Sequence, residues 1–427
     1  MPDYGKSRLY IMRILFVTHY FPPETGAPAA RMYGLAMNLS RLGHDVTVVT
    51  GYPNYPNGRV FKPYRVRPWS LERMDDLKVV RTYMYVSASA RTAPRLANQL
   101  SFVVSSSLVS ILNSQRYDMA FVSSPPLFLG LSGCAIALFK RCPFVFDVRD
   151  IWPEIATLIG ELKSDSLANR VAQRLERFLY RKASVITVVT EQKVNKLVEK
   201  GVPREKIHVI RNGVDEEFIN APVDTRLRTM MGLDGAFVVL YAGLIGRFQG
   251  VDVLLWAAST LEKQTPDVQF LIIGEGVAKS ELMRMAATLN LSNVRFLPGL
   301  PKEEVRSYLA MADAAVIPLK NGQLTDSVPS KLYEYMGVGC PVILCASGES
   351  CDVLLEAKAG LIVPPGDSQA LASAILEMKQ REDFREACRR NGRAHVASRY
   401  LRRTIAKELE DVLLLAVRQA NSRGRCR

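Results

Sequence analysis

A chain of 427 residues is too long for one hydrophobic core, so two domains of roughly 200 residues each are expected. With 48% hydrophobic and 23% charged residues, the composition is that of a folded globular protein and excludes a disordered or low-complexity chain. The formal charge of +14 is uneven: up to Glu205 there are 28 Lys and Arg against 16 Asp and Glu, a net of +12, which leaves +2 for the remainder. Such asymmetry suits a first half that meets a polyanion or an anionic membrane, and a merely basic surface fits the count as well.

The seven cysteines, Cys134, Cys142, Cys340, Cys345, Cys351, Cys388 and Cys426, form no CxxC pair and no metal-ligand spacing. They read as reduced thiols in a cytosolic compartment. No signal peptide is visible, and the residues before Ile11 read as a leader that leaves Met12 as an alternative start. No run reaches the roughly 18 apolar residues of a spanning helix.

In chain order, residues 12–18 (MRILFVT) form a short apolar run of the kind buried in a parallel sheet. A Gly/Pro loop follows, then helical spacing over residues 29–42 with Gly43 as its stop. Residues 45–51, 78–85, 119–124, 144–150 and 185–190 read as further strands, with helical stretches between most of them. This alternation predicts a doubly wound parallel sheet. Asp75-Asp76, an acidic doublet, reads as a surface turn before a strand. Residues 208–218 end the first unit with a turn at Asn212-Gly213, and a polar stretch through Pro222 and residues 232–235 serves as the linker. The pattern then restarts with strands at residues 237–243, 268–274, 293–299, 314–319, 340–345 and 359–366, and the last 60 residues are helical. The predicted fold is α/β, with two facing doubly wound domains over residues 1–215 and 216–427, the second carrying the terminal helices.

Two such domains place a ligand at the carboxyl ends of their strands, in the cleft between them. The run DSVPSKLYEYMGVGCPVIL, residues 326–344, stands at such an end. A polar loop leads to Pro329 in a first helical turn, and Gly337 or Gly339 stops the helix. A helix N-terminus offers unpaired N–H donors and partial positive charge, which suits a phosphate. Lys331 adds a full charge in that first turn. Glu334, three residues on, shares its face and can accept from hydroxyls beside the phosphate. Asp326 enters from the loop. A cation, a helix end and two carboxylates suit a sugar diphosphate, although a solvated charged helix with a capping loop would leave the same pattern.

The run also resembles the signature of glycosyltransferase family 4, whose members have the GT-B fold of two facing Rossmann-like domains. That signature is an acidic residue, seven residues, then Glu, and Asp326 to Glu334 fits the spacing. The likeness extends along most of the chain. THYFPPETGAPAARMYGLAMNL is similar to the family's opening loop and helix, where Gly26 would let the backbone approach donor phosphates. VIRNGVD resembles its domain junction, LYAGLIGRFQGVDVLL its phosphate segment, and LIIGEG with VRFLPGL the strands whose ends, at Gly274 and Gly299, hold the nucleotide. There are departures. The first acidic residue of the signature is usually Glu, and Asp326 is one methylene shorter. Leu244 and Gln249 occupy the places of an Arg and a Lys in the phosphate segment, which leaves Arg247 as the replacement cation. Arg149, followed by Asp150 and Trp152, stands where a His often follows a first-domain strand.

The resemblance implies retaining transfer from a nucleoside diphosphate sugar, with Asp326 and Glu334 at the reacting centre and Lys331 and Arg247 on the diphosphate. VRDIWPE together with PSKLYEYM is most similar to the subset that assembles bacterial O-antigen and capsule repeats from N-acetylated deoxyaminosugars, which implies a UDP-sugar donor and a polyprenyl-diphosphate-linked acceptor. Asp150 is the candidate that positions the acceptor or acts as base, with His19, Arg149 and Trp152 beside it. A structural role for His19 and a capping role for Asp150 stay open. No metal and no other cofactor is expected. The uncharged apolar helix over residues 96–115 and the basic first half imply a seat on the inner, cytoplasmic face of an anionic membrane. Two other readings remain: a GT-B sugar-nucleotide epimerase, and a basic nucleic-acid-binding protein, against which the charge is dispersed and no nucleic-acid motif appears.

Overall fold

The computed structural model describes residues 10–89, 91–158, 160–219, 225–246, 249–320 and 325–425. The chain divides into two compact units, one running to Arg211 and resuming at Arg402, the other Asn212–Leu401.

The first unit contains β1 (Arg13–Val17), α1 (Ala27–Arg41), β2 (Asp45–Gly51), β3 (Trp69–Met74), β4 (Leu77–Thr82), α2 (Thr92–Leu112), β5 (Met119–Ser124), α3 (Leu129–Lys140), β6 (Phe144–Val148), α4 (Glu154–Leu158), α5 (Leu167–Lys182), β7 (Val185–Val188), α6 (Glu191–Glu199) and β8 (Ile207–Val209). The sheet order is β3-β4-β2-β1-β5-β6-β7-β8, parallel except for the β3–β4 pair. β5 and β6 are buried along their whole length, and β1 and β2 along all but their first residue, because helices cover both faces. Apolar side chains of α2, α3, α5 and α6 pack on one face, with Phe102, Leu129, Ile136, Leu179 and Leu197 buried. On the other face lie Met32, Leu35 and Leu39 of α1.

The second unit contains α7 (Thr225–Met230), β9 (Phe237–Ala242), α8 (Asp252–Gln264), β10 (Val268–Ile273), α9 (Lys279–Thr288), β11 (Val294–Leu297), α10 (Lys302–Met311), β12 (Ala314–Pro318), α11 (Ser330–Val338), β13 (Val342–Cys345), α12 (Glu349–Ala357), β14 (Gly360–Val363), α13 (Ser368–Gln380) and α14 (Glu382–Arg399). Its sheet is wholly parallel, in the order β11-β10-β9-β12-β13-β14, with a packed helical layer on each face. The six strands read from the sequence are all present.

Two differences from the sequence reading have physical reasons. First, the terminal helix α15 (Arg402–Arg425) belongs to the first unit and not to the second, so the boundaries at 215 and 427 give way to 211 and 401. Ile405, Leu409, Leu413 and Ala416 are buried in one cluster with Met32, Leu35 and Leu39 of α1. At Gly34 a Cβ would lie 2.3 Å from Cδ of Arg402, and His44 Nε2 donates to Glu410 Oε1 at 2.9 Å. An apolar stripe shows that a helix needs a partner but not which partner. Second, β3 is an antiparallel edge strand whose exposed Trp69 and Leu71 gave no inward-facing pattern to read. The turn at Asp75-Asp76 joins it to β4, with Asp75 at φ 50°. Of the two glycines offered as stops for α11, it is Gly339, in the left-handed region, that ends the helix. The six described cysteines are free thiols, and among the described residues no helix is long and apolar enough to cross a membrane.

Candidate functional site

Each sheet reverses its winding direction at one place, between β1 and β5 in the first unit and between β9 and β12 in the second. Crevices outside the carboxyl ends of strands at such switch points are where doubly wound sheets bind ligands.

In the second unit, α11 follows β12 and reaches across the switch point to the end of β9. Tyr335 makes the joint. Its hydroxyl accepts from Ala242 N–H at 3.0 Å and donates to Ala242 C=O at 2.9 Å. One turn earlier, Lys331 Nζ donates to the Tyr241 hydroxyl at 2.9 Å and lies 4.1 Å from the centre of its ring. The Tyr241 hydroxyl in turn donates to Leu244 C=O at 2.6 Å, so ring and hydroxyl together fix where the ammonium sits. Gly243 makes the room: a Cβ there would lie 2.5 Å from Cε and 2.6 Å from Nζ of Lys331. Lys331 keeps some exposure as a residue, but burial of its ammonium pushes its pKa down to about 8, with Glu334 acting the other way. The charge is thus held in place at a desolvation cost that an anion would relieve.

No side chain caps α11. Its N-cap is Pro329, which has no polar side chain to cap the helix, and Leu332 N–H donates to the Pro329 carbonyl at 3.0 Å. Asp326 is buried in the segment entering the helix. That segment is pinned by Glu349 N–H, which donates to Thr325 C=O at 3.0 Å, and by Gly348, where a Cβ would meet the same carbonyl at 2.2 Å. Gly274, at φ 151°, has a packing reason: a Cβ there would stand 1.9 Å from the Gly243 carbonyl oxygen. Gly299 N–H donates to Glu275 Oε1 at 3.1 Å, and Lys279 Nζ binds the same oxygen at 2.8 Å. Arg247 lies outside the described residues. The structure therefore brings Lys331, Glu334 and the start of α11 together at the switch point. It adds Tyr241, Gly243 and Tyr335, which the sequence reading missed because their roles rest on contacts between separate elements.

In the first unit, His19 follows β1 and Arg149, Asp150 and Trp152 follow β6, also at carboxyl ends. His19 is buried, with Nε2 2.9 Å from Asn98 Oδ1, and Asn98 Nδ2 donates to Tyr85 C=O at 2.6 Å. The carbonyl oxygen of Asn98 can only accept, so Nε2 carries the proton and Nδ1 is left as an acceptor. Burial pushes His19 down to about 4, which keeps it neutral. Arg149 Nε donates to Ser123 Oγ at 3.1 Å, and burial lowers its pKa against the pull of Asp147 and Asp150. Asp150 is half-buried and makes no hydrogen bond or ion pair among the described residues. Trp152 packs against the core layer that contains Phe146 and Leu179. Gly26 begins α1 at φ 127°, a conformation that glycine alone adopts readily, and no side chain caps the helix it starts.

Beneath these groups lies a polar network that sequence reasoning missed. Asp147 is fully buried and accepts from Arg31 at 3.0 Å, Ser123 at 3.0 Å and Thr187 at 2.9 Å. Arg31 also donates to the carbonyls of Ile210 at 2.9 Å and Arg211 at 2.8 Å. A carboxylate in the middle of an apolar strand is the one sequence signal that could have found it. Among the described residues no group of three or more His, Cys, Asp or Glu is placed to hold a metal.

Residues 26–213 match the family model described as "Glycosyl transferase 4-like domain", and residues 231–395 match "Glycosyl transferases group 1". Over 414 residues the chain is 27% identical to an Escherichia coli (strain K12) protein named as a colanic acid biosynthesis glycosyl transferase, WcaI, covering 93% of this chain and 97% of that one. It is 26% identical over 396 residues to the amylovoran biosynthesis glycosyltransferase AmsK of Erwinia amylovora, covering 87% and 91%. Among solved structures, Anabaena Alr3699/HepE in complex with UDP-glucose matches with a TM-score of 0.69 at 18% identity, over 94% of this chain and 99% of that one. That likeness is one of fold.

Proposed function

The chain belongs to the family 4 glycosyltransferases, and on that footing we propose that it moves a sugar from a nucleoside diphosphate donor to a lipid-carried glycan acceptor during assembly of a cell-surface polysaccharide. The donor is a UDP-linked, N-acetylated aminosugar, the acceptor is linked to polyprenyl diphosphate, and transfer retains anomeric configuration without a metal. The observation that carries this reading is the Lys331 ammonium, fixed over Tyr241 in the first turn of α11 with Glu334 three residues on. The named roles of WcaI and AmsK in polysaccharide biosynthesis, and the UDP-glucose bound by HepE, are in keeping with it.

In this mechanism the acceptor hydroxyl oxygen bonds to the anomeric carbon on the face from which the diphosphate leaves. The bond between that carbon and the phosphate oxygen breaks, and the acceptor proton passes to the departing oxygen. The products are the glycoside and a nucleoside diphosphate. Lys331, with Arg247, meets the negative charge that grows on the leaving group. The N–H groups at the start of α11 add to this, and because all are positioned beforehand they need no reorganisation as the charge appears. Glu334 accepts from the ribose hydroxyls and Asp326 from the donor sugar. In the first unit Asp150 orients the acceptor hydroxyl, with neutral His19 able to accept at Nδ1 and with Arg149 and Trp152 beside them.

The first unit also offers a reason to seat on a membrane from the cytoplasmic side. Leu96, Leu100, Val104, Leu108 and Leu112 recur every fourth residue along α2, and all are exposed. This apolar stripe lies in the half of the chain that carries most of the net positive charge, which matches an anionic lipid surface.

The direct test supplies UDP-, GDP- and ADP-sugars with a polyprenyl-linked acceptor in EDTA and reads the anomeric configuration of the product by NMR. Retained configuration with full activity in EDTA is expected. An inverted product, or activity that returns only on adding a divalent ion, contradicts the mechanism. Flotation with vesicles tests the membrane seat, and equal recovery with anionic and neutral lipid contradicts it.

A further inference from the structure

A cavity of about 650 Å³ opens in the first unit. It is lined by Arg174, Arg177, Tyr180 and Arg181 of α5 and by residues 200–203 and Lys206 of the segment that leads into β8. α5 ends just before β7 and that segment just before β8, and β6, β7 and β8 are parallel. The cavity therefore stands at the amino ends of these strands, whereas His19, Arg149 and Asp150 stand at the carboxyl ends.

Its cations divide into two sets. Lys200 is already engaged, 2.8 Å from Glu154 and 2.8 Å from Glu176, and Lys206 Nζ donates to the last carbonyls of α5 at Tyr180, 2.6 Å, and Arg181, 3.0 Å. These two build the wall. Arg174, Arg177 and Arg181 are exposed and form no ion pair among the described residues. Their spacing of three and then four residues puts all three guanidinium groups on one helix face. Like charges so placed repel and weaken the helix, unless an anion lies between them. Arginine forks match phosphate oxygens two at a time, and the volume is that of a small-ligand site.

We propose that this cavity is a second anion site that binds the phosphate of an ester or diester and is separate from the site of sugar transfer. The phosphate belongs to a membrane lipid headgroup or to a free phosphate ester. Exposed Val171 and Phe178 on α5, and Leu138 and Phe139 at the end of the neighbouring α3, give the headgroup arm its rationale.

The test uses the full chain, a variant carrying Arg174→Ala, Arg177→Ala and Arg181→Ala, and a charge-matched control carrying Arg65→Ala, Arg67→Ala and Arg73→Ala. Binding is measured to phosphatidylglycerol vesicles, to phosphatidylcholine vesicles and to soluble glycerol phosphate, with nucleoside diphosphate affinity read in parallel. If the source is lipid, the cavity variant loses about 100-fold in affinity for phosphatidylglycerol, three charges at about fivefold each, and the control keeps its affinity. If the source is soluble, the parent binds glycerol phosphate and only the cavity variant fails to. Nucleoside diphosphate affinity stays unchanged in either case, so failure here is distinct from failure of the donor site. All six arginines are exposed, so the melts are expected to match the parent, and Arg177→Glu alone moves binding in the same direction. The proposal is overturned if the cavity variant binds every probe as the parent does, if the control loses as much as the cavity variant, or if the parent binds no probe.

Discussion

Lys331 could be read from the sequence as a cation in a first helical turn, but its setting could not, because Tyr241 lies 90 residues away on another strand. That setting has a measurable consequence. Burial lowers the lysine to about 8, so in the free protein the ammonium is full below that value and is lost as pH rises through it. A diphosphate binds the charged form. Its affinity is therefore expected to be highest near pH 7 and to fall as pH rises through about 8, by about tenfold per pH unit well above it. Lys331→Ala, weaker throughout, is expected to show no such limb. Calorimetric titration across that range checks both, and a limb that persists in the variant assigns the titration to another group. His19, held near 4 by burial, is expected to add no limb between pH 5 and 8. Asp147 and Arg31 illustrate the opposite limit of sequence reading. Asp147 stands out as a carboxylate within an apolar strand, but only the fold shows that Arg31 is what neutralises it.

Elements were legible where burial on both faces leaves a continuous apolar run, as in β9, β12 and β13. β3 was not, because an edge strand with Trp69 and Leu71 exposed has no such run. The glycines at strand ends were legible as turns, but the reason for each lies in what it approaches. At Gly274 the obstacle to a Cβ is backbone, the Gly243 carbonyl at 1.9 Å. At Gly243 the obstacle is the far end of the Lys331 side chain, which can move. Both residues have positive φ, so each substitution is strained, yet the outcomes should differ. Gly274→Ala is expected to separate β9 from β10 and destabilise the fold by at least about 3 kcal/mol. Gly243→Ala is expected to cost less stability and to displace the ammonium, weakening nucleoside diphosphate binding. Thermal melts and titrations of the two variants decide this, and equal melts with equal affinities would contradict the assignment.

For the whole molecule, the alternating pattern of strands and helices was enough to give two doubly wound units, since each restart of the pattern needs its own core. The return of α15 to the first unit was not legible, because an apolar stripe of Ile405, Leu409 and Leu413 names no partner until α1 and Gly34 are seen to fit it. At this scale the second unit is expected to hold a nucleoside diphosphate at the start of α11. The most direct test is calorimetric titration of UDP, GDP and ADP into the parent and into Lys331→Ala, at pH 7 and with EDTA present. One of the three nucleotides is expected to bind the parent, and the variant, melting as the parent does, should bind it with a loss of about 1.5 to 3 kcal/mol, or roughly 10- to 150-fold in affinity. A correctly folded Lys331→Ala that binds the same nucleotide as tightly as the parent would contradict the account.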